Sequence, residues 1–259
     1  MDTMERSMIG DGEFAIKTAF VSGAASGIGA AIARQLAAHG ARVALADFNL
    51  HGAETVAAEI LSAGGEAISI QTDVASATSV EMAVARAVSH YGGLQMAVNS
   101  AGIDLPRCAT GEYPIEHWRR VIGVNLDGIF HSLRYQIPAI LAQGGGAIVN
   151  IASIMGLRGI AGQPAYTAAK HGVIGLTKAA ALDYAQAGLR INAVAPGFIE
   201  TPLLSHLSEQ SKREAASRHP IGRIGTSDEI ANVVLFLLSQ RASFVTGSCY
   251  EIDGGYLAR

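Results

Sequence analysis

Short apolar runs alternate with longer helical stretches along almost the whole chain. The runs are candidate strands, and they lie at 17–22, 41–47, 67–72, 94–100, 147–153, 190–195 and 248–252. The stretches between them are rich in alanine, and the first predicts a helix over Ala30–Ala38. Runs that are apolar on both faces are typical of parallel strands covered by helices on either side. The pattern predicts an α/β fold with a doubly wound parallel sheet of about seven strands.

The alternation runs on without a linker-like interruption, so a single domain is expected over residues 16–259. Residues 1–15 carry Asp2, Glu5, Asp11 and Glu13 and lack an apolar run of signal-peptide length, so we expect a flexible tail and no secretion. No stretch approaches the roughly 20 apolar residues of a membrane-spanning helix, so no membrane association is expected.

Composition narrows the class of function. Apolar residues make up 49% of the 259 residues and charged residues 16%, which suits a large buried core. The net charge of −3 and the lack of a basic cluster argue against a nucleic-acid partner. Cys108 and Cys249 are too few for a disulfide framework, which favours a reducing compartment and a cytoplasmic protein.

A glycine-rich turn follows the first run. Gly23, Gly27 and Gly29 lie in S-G-A-A-S-G-I-G at 22–29, just before the predicted helix. Glycine lets the backbone approach a pyrophosphate, whose charge is favoured at a helix N-terminus. The spacing G-x-x-x-G-x-G differs from the more common G-x-G-x-x-G, so the turn alone could also be a tight turn without a ligand.

Asp47 ends the second run, roughly 20 residues beyond the last glycine, where a carboxylate can accept hydrogen bonds from an adenosine ribose. The same charge repels a 2′-phosphate, and no Arg or Lys lies in the glycine turn or directly after Asp47. The expected cofactor is therefore NAD, with NADP less favoured. The alternative is that Asp47 only caps a helix.

Small and polar residues also follow the third and fourth runs. Asp73 and Val74 follow the third, and Asn99, Ala101 and Gly102 lie at the end of the fourth. Ligands of such sheets bind beyond the carboxyl ends of the strands, so these residues are expected to pack against the adenine and the backbone of the cofactor site. Asp73 and Asn99 could equally be ordinary turn residues.

A phenol and an ammonium lie one helical turn apart in Y-T-A-A-K at 166–170. Ser153 ends the fifth run, thirteen positions before Tyr166, and Asn125 lies in the helix before that run. Oxidation of an alcohol needs a base for the hydroxyl proton while the nicotinamide takes the hydride. Tyrosine titrates near pH 10, so the Lys170 cation is expected to stabilise the phenolate of Tyr166. These residues predict hydride transfer at an alcohol or carbonyl carbon.

Taken together, the motifs resemble those of the short-chain dehydrogenase/reductase (SDR) superfamily over residues 16–256. The resemblance rests on the segments S-G-A-A-S-G-I-G, N-S-A-G at 99–102, N-L-D-G at 125–128, Ser153, Y-T-A-A-K, and P-G-F-I-E-T at 196–201. Ser22 stands where the family more often has threonine, but either hydroxyl can bond nearby backbone.

The resemblance implies a Rossmann-type fold and a catalytic tetrad. Tyr166 would be the general acid/base, and Ser153 would donate a hydrogen bond to the substrate oxygen. Lys170 would activate the phenol and bind the nicotinamide ribose, while Asn125 would hold a proton-relay water. Residues expected to bind the cofactor are Gly23, Ser26, Gly27, Ile28, Gly29, Asp47, Phe48, Asp73, Val74, Asn99, Ala101, Gly102, Tyr166, Lys170, Pro196, Gly197, Ile199 and Thr201. No metal is expected.

The expected substrate pocket is mostly apolar. Its walls include a loop at about 198–220 and the residues Ile154, Met155, Gln163, Leu203 and Leu204. Few fixed charges would meet an acidic substrate, with Arg107, Arg158, His206 and His219 as the exceptions. We expect a neutral, fairly hydrophobic, cyclic secondary alcohol or diol and its ketone, with oxidation as the favoured direction.

Two other functions fit parts of the sequence. The C-terminal half also resembles 3-oxoacyl-[acyl-carrier-protein] reductases, although those generally use NADPH and carry basic residues for an acidic carrier protein. A catalytically silent NAD-binding regulator would keep the fold and lose the chemistry. A homotetramer or dimer is expected, because Ala165–Ala181 is nearly free of charge and family members commonly associate. That stretch could instead be buried within its own subunit.

Overall fold

A computed structural model of the protein describes residues 12–202 and 208–258. Within them, seven strands form one sheet, and every neighbouring pair runs parallel. The strands are β1 Thr18–Ser22, β2 Arg42–Asp47, β3 Glu66–Gln71, β4 Met96–Asn99, β5 Gly146–Ile151, β6 Leu189–Pro196 and β7 Cys249–Ile252. Each predicted run ends within two residues of the observed strand. The predicted doubly wound fold is confirmed.

Eight α-helices accompany the strands in the described residues. They are α1 Gly27–Ala38, α2 Leu50–Ser62, α3 Ala77–Tyr91, α4 Ile115–Ile122, α5 Gly128–Leu141, α6 Pro164–Tyr184, α7 Glu209–Ser217 and α8 Ser227–Leu238. Buried side chains of α1, α2 and α8 form one core with the sheet, and those of α3, α5 and α6 form the other. The strands supply both cores: in β1, Ala19 and Val21 belong to the first and Phe20 to the second. This two-sided burial explains the continuous apolar runs in the sequence.

The sheet order β3-β2-β1-β4-β5-β6-β7 places the site. The strand order reverses between β1 and β4, so the connections after these two strands leave in opposite directions and open a crevice at the carboxyl edge. Gly23 follows β1 at this point and Gly102 lies just beyond β4.

The N-terminal segment departs from expectation at Phe14, which lies in the predicted flexible tail. Its side chain is fully buried in the first core, and its ring contacts the His39 ring at a centroid distance of 6.5 Å. Its backbone N–H donates to the His39 carbonyl over 3.2 Å. The folded part of the chain therefore begins before residue 16, and residues 1–11 lie outside the described residues.

Of the helices in the described ranges, none is long and apolar enough to cross a membrane.

Candidate active site

A cavity of about 1400 Å³ extends along the carboxyl edge of the sheet, and residues that follow six of the strands line it. The predicted site residues in its wall are Gly23, Ser26, Gly27, Ile28, Gly29, Asp47, Phe48, Asp73, Val74, Ala101, Gly102, Ser153, Ile154, Met155, Gln163, Tyr166, Lys170, Pro196, Gly197, Ile199 and Thr201. Predicted pocket residues Leu203 and Leu204 lie outside the described residues, as does His206. The volume exceeds that of a typical single-ligand pocket and suits a dinucleotide with a substrate.

The glycine turn is closely packed against its surroundings. A Cβ atom on Gly23, whose φ is +68°, would lie 2.7 Å from the Ala101 backbone, and one on Gly29 would lie 2.1 Å from the Gly23 carbonyl oxygen. Ser26 precedes α1, and its side chain caps none of the helix N–H groups. A turn with glycine at three positions, next to N–H groups that no side chain caps, fits a pyrophosphate.

Asp47 ties the glycine turn to the end of β2. Its two carboxylate oxygens accept hydrogen bonds from the backbone N–H groups of Ala25, at 2.9 Å, and Asn49, at 2.8 Å. The cap of α2 is Asn49, whose side chain accepts from the Gly52 N–H, so Asp47 is not the helix cap. Each carboxylate oxygen keeps a further lone pair that a ribose hydroxyl can use. The neighbouring Phe48 ring is 73% exposed at the cavity wall and offers an apolar face to an adenine ring.

Asn99, which was predicted to bind the cofactor, is the last residue of β4. Its side chain is fully buried and is not part of the cavity wall. Its amide nitrogen donates to Gln136 and Asn150, and its amide oxygen accepts from Gln136. Asn150 in turn donates to the Thr177 hydroxyl. Asn99 therefore joins β4 to β5 and to two helices through a buried polar network, and its amide is turned away from a cofactor in the cavity.

The predicted catalytic side chains Ser153, Tyr166 and Lys170 converge on the cavity. The Lys170 Nζ lies 5.6 Å from the centre of the Tyr166 ring and donates to the Ile151 carbonyl over 2.8 Å. The Ser153 hydroxyl hydrogen-bonds the Tyr166 phenol, and its oxygen also accepts from the Met155 N–H. The end of β5 and the first turns of α6 thus bring a hydroxyl, a phenol and an ammonium together.

Asn125 lies directly behind this group, in a π-helical turn over Gly123–Asp127 that joins α4 to α5. Its side chain is fully buried and holds the segment after β4, because its amide accepts from the Ile103 N–H and donates to the Ile103 carbonyl, both at 2.8 Å. A Cβ atom on Gly102 would lie 3.4 Å from the Asn125 amide oxygen and 3.8 Å from the Lys170 Nζ. Irregular helical turns of this kind are frequent at functional sites. The relay water at Asn125 stays a prediction.

Burial dominates the ionisation of the catalytic pair. Burial, together with the negative charge of Asp104, raises the pKa of Tyr166 to about 12, although the hydrogen bond from Ser153 lowers it. Burial also lowers the pKa of Lys170 to about 8. The expected lowering of the phenol pKa by Lys170 is therefore outweighed in the protein alone. At neutral pH the phenol holds its proton, and further positive charge in the cavity is needed before it can act as a base.

Sequence reasoning missed Asp104, which lies at the end of N-S-A-G-I-D after β4. One of its carboxylate oxygens accepts from the side-chain amide of Gln163, and the other accepts from the Leu105 N–H over 2.9 Å. Both Asp104 and Gln163 line the cavity. The sequence feature that could have revealed Asp104 is a carboxylate two residues beyond Gly102, at the edge of the sheet where functional residues were expected.

Not all of the charged or titratable side chains named as exceptions in the pocket reach the cavity: the Arg158 guanidinium lies 5.3 Å from the centre of the Tyr256 ring, and Arg158 is not part of the cavity wall. Arg107 lines the cavity, and Arg119 and Arg120 of α4 join it there. His219 instead is buried behind the wall, where Nδ1 donates to the Ala215 carbonyl over 2.7 Å and Nε2 accepts from the Phe198 N–H over 3.2 Å. Both ring nitrogens are thus used in holding the segment after β6.

No cluster of three or more His, Cys, Asp or Glu side chains that could hold a metal ion occurs in residues 12–202 and 208–258.

Residues 23–257 match the family described as enoyl-(acyl carrier protein) reductase. Cyclohexanol dehydrogenase from Acinetobacter sp. (strain SE19) is 50% identical over 99% of this chain and 100% of its own. The chain belongs to the short-chain dehydrogenase/reductase superfamily. This SDR is also 40% identical to the 3-oxoacyl-[acyl-carrier-protein] reductase FabG of Staphylococcus aureus (strain Mu50 / ATCC 700699), over 92% of this chain and 97% of that protein. The crystal structure of levodione reductase superposes on it with a TM-score of 0.92 at 36% identity, covering 95% of this SDR and 99% of that chain.

Proposed function

We propose that this SDR is an NAD-dependent dehydrogenase that interconverts a neutral, fairly hydrophobic cyclic secondary alcohol or diol and its ketone. The observation that carries the proposal is the convergence of Ser153, Tyr166 and Lys170 on the cavity that also contains the glycine turn. The likeness to a cyclohexanol dehydrogenase over nearly the full length of both chains supports a cyclic alcohol as substrate.

The chemistry divides between the cofactor and the side chains. A bound nicotinamide accepts a hydride from the alcohol carbon or returns one to the ketone. Ser153 orients the substrate oxygen, and Tyr166 takes the hydroxyl proton in oxidation or gives it back in reduction. The ammonium of Lys170, 5.6 Å from the phenol ring centre, favours the phenolate that oxidation needs.

Asp47 supports NAD as the cofactor. Its carboxylate is fixed by two backbone N–H groups beside the glycine turn, where it can bond ribose hydroxyls and repel a 2′-phosphate. We expect a higher kcat/KM with NAD than with NADP, and an Asp47→Ala variant should lower that ratio at least tenfold. A wild-type preference for NADP would overturn this assignment.

The substrate class is tested by following NADH absorbance with a panel of cyclic, aryl and aliphatic secondary alcohols. Cyclic alcohols should give the highest kcat/KM. Tyr166→Phe is the matched control, since it removes only the phenol hydroxyl. If no alcohol or ketone is turned over while NADH binding is measurable, the protein is a catalytically silent regulator.

One further function has a specific observation in its favour. The likeness to the Staphylococcus aureus reductase FabG is accompanied by three exposed arginines at the cavity wall, Arg107, Arg119 and Arg120, which could contact an acidic carrier protein. Asp47 argues against it, because the reductases of this kind generally use NADPH. NADPH-dependent reduction of a 3-oxoacyl carrier-protein thioester, faster than oxidation of any cyclic alcohol, would favour this function.

We also propose a cytoplasmic homotetramer or dimer. Cys108 and Cys249 are both free thiols, as suits a reducing compartment. Trp118, Phe130 and Leu182, on α4, α5 and α6, are 41%, 53% and 83% exposed, and such apolar side chains favour burial against a second copy. Sedimentation velocity gives the number of subunits, and a monomer at micromolar concentration would contradict the proposal.

A further inference from the structure

A polar pair interrupts the apolar wall beside the catalytic tyrosine. Gln163 immediately precedes α6, its side chain is 5% exposed, and it donates from its amide nitrogen to the Asp104 carboxylate. Both residues line the cavity together with Leu105, Ile154 and Met155. Polar groups placed in an otherwise apolar pocket usually fix the orientation of a ligand.

The orientation of the Gln163 amide follows from its partner. A carboxylate only accepts hydrogen bonds, so the amide NH₂ group must face Asp104 and the amide oxygen must point the other way. That oxygen, Oε1, is buried and has no hydrogen-bond partner in the described part of the chain. A buried acceptor without a donor is unfavourable, which suggests that a ligand supplies the donor.

We propose that Asp104 and Gln163 form a subsite for a second hydroxyl group of the substrate, so that the preferred substrate is a cyclic diol rather than a monoalcohol. This inference rests on the function proposed above. Gln163 lies three residues before Tyr166, about one helical turn away, and the phenol is close enough to Asp104 to sense its charge. The second hydroxyl is thus bound on the same ring as the reacting one.

The hydrogen-bonding groups of Asp104 and Gln163 determine which substituent of the substrate the subsite can bind. Both the Gln163 oxygen and the Asp104 carboxylate are acceptors, so the ligand group must donate a hydrogen bond. A ketone or ether oxygen cannot do so, and a carboxylate is also repelled by Asp104. A hydroxyl can donate and remains neutral, which agrees with the apolar surroundings of the pair.

The test compares kcat/KM for the 1,2-, 1,3- and 1,4-cyclohexanediols with that for cyclohexanol at saturating NAD. At least one diol should exceed cyclohexanol by about tenfold, the discrimination expected when one buried acceptor gains its donor. In Gln163→Met, which keeps the length of the side chain without the amide, the ratio of diol to cyclohexanol should fall towards one. The ratio is the readout, because both substrates share any general change in rate.

Thr167→Val is the matched control. The Thr167 hydroxyl is also buried without a partner in the described residues and adjoins Tyr166, but Thr167 is not part of the cavity wall. Its removal should leave the diol preference unchanged. In wild-type protein, 2-hydroxycyclohexanone should likewise be reduced with a lower KM than cyclohexanone, and this measurement does not depend on the folding of a variant.

Equal kcat/KM for cyclohexanol and every diol would overturn the subsite, as would a diol preference that survives in Gln163→Met. A higher kcat/KM for an aminocyclohexanol than for any diol would mean that the subsite binds an ammonium group rather than a hydroxyl group. This result would overturn the diol as the preferred substrate. Failure of the proposed function gives a different result, in which neither cyclohexanol nor any diol is oxidised.

Discussion

Replacing Lys170 by methionine should stabilise the protein while it abolishes activity. Lys170 is 4% exposed in a site that lowers its pKa from 10.5 to about 8 because burial disfavours the charged form. Methionine fills a similar volume without a charge. The substitution therefore separates the energetic cost of the buried ammonium from the function proposed for it.

The magnitude follows from the pKa shift. A fall from 10.5 to about 8 means that carrying the charge in the folded state costs about 3 kcal/mol at pH 7. Methionine also removes the 2.8 Å hydrogen bond from Nζ to the Ile151 carbonyl, and leaving that acceptor without its donor costs about 1–2 kcal/mol. We expect Lys170→Met to raise the free energy of unfolding by about 1–2 kcal/mol at pH 7.

The pH dependence has a definite sign. Because the folded pKa lies below the unfolded value, the folded state binds fewer protons than the unfolded state between pH 8 and 10.5. As the pH rises through that window, Lys170 loses its proton and the free energy of unfolding of the wild type increases. The difference in stability between Lys170→Met and the wild type should therefore shrink. Urea unfolding at pH 7, 8 and 9.5, at one protein concentration, measures both effects.

Two results would refute this account. One is a variant that is clearly less stable than wild type at pH 7, which would mean that the ammonium is stabilised by its surroundings. The other is a stability difference that does not change between pH 7 and 9.5, which would mean that Lys170 does not titrate there.

Three further predictions concern the site. Tyr166→Phe should lower kcat by about 10²–10⁴ and leave the Kd for NAD within about twofold, because only the proton-transfer group is lost; stopped-flow absorbance and calorimetry measure the two effects. Gly29→Ala should abolish NAD binding or folding, because its Cβ would lie 2.1 Å from the Gly23 carbonyl oxygen, whereas Gly175→Ala, in open space on α6, should bind NAD normally. Asp104→Asn should move the rising limb of the pH profile for alcohol oxidation to lower pH, because the Asp104 charge raises the pKa of Tyr166, and an unchanged profile would argue against that coupling.

The sheet could be predicted because its strands are buried on both faces. This gives continuous apolar runs, and the C-terminal ends of β1 and β2 followed directly from them. Helix α1 begins at Gly27, three residues before the predicted Ala30, since glycines carry no helical pattern. Phe14 was missed because the apolar residues near the N-terminus are too few and too scattered to reveal the core against which Phe14 packs.

The parts of the site that escaped prediction depend on contacts between distant residues. Asn99 and Gln136 are 37 positions apart, and only the fold brings their amides together away from the cavity. Asp104 and Gln163 are 59 positions apart. The π-helical turn at Asn125 is equally hidden, since the sequence N-L-D-G gives no sign of an extra residue in the turn.

Burial makes the pKa of Tyr166 sensitive to nearby charge, which the spacing of Tyr166 and Lys170 alone could not predict. In a site shielded from water, charges interact more strongly than they do at an exposed surface. The same shielding that holds the proton on Tyr166 makes its pKa sensitive to any charge placed in the cavity, and the effect of Asp104 already shows this sensitivity. A positive charge in the cavity should thus convert the phenol into a base, and its loss should restore the acid. A residue that must accept a proton in one direction of a reaction and donate it in the other benefits from this response, which is a reason to keep a buried ammonium beside the phenol even where we expect it to lower the stability of the fold.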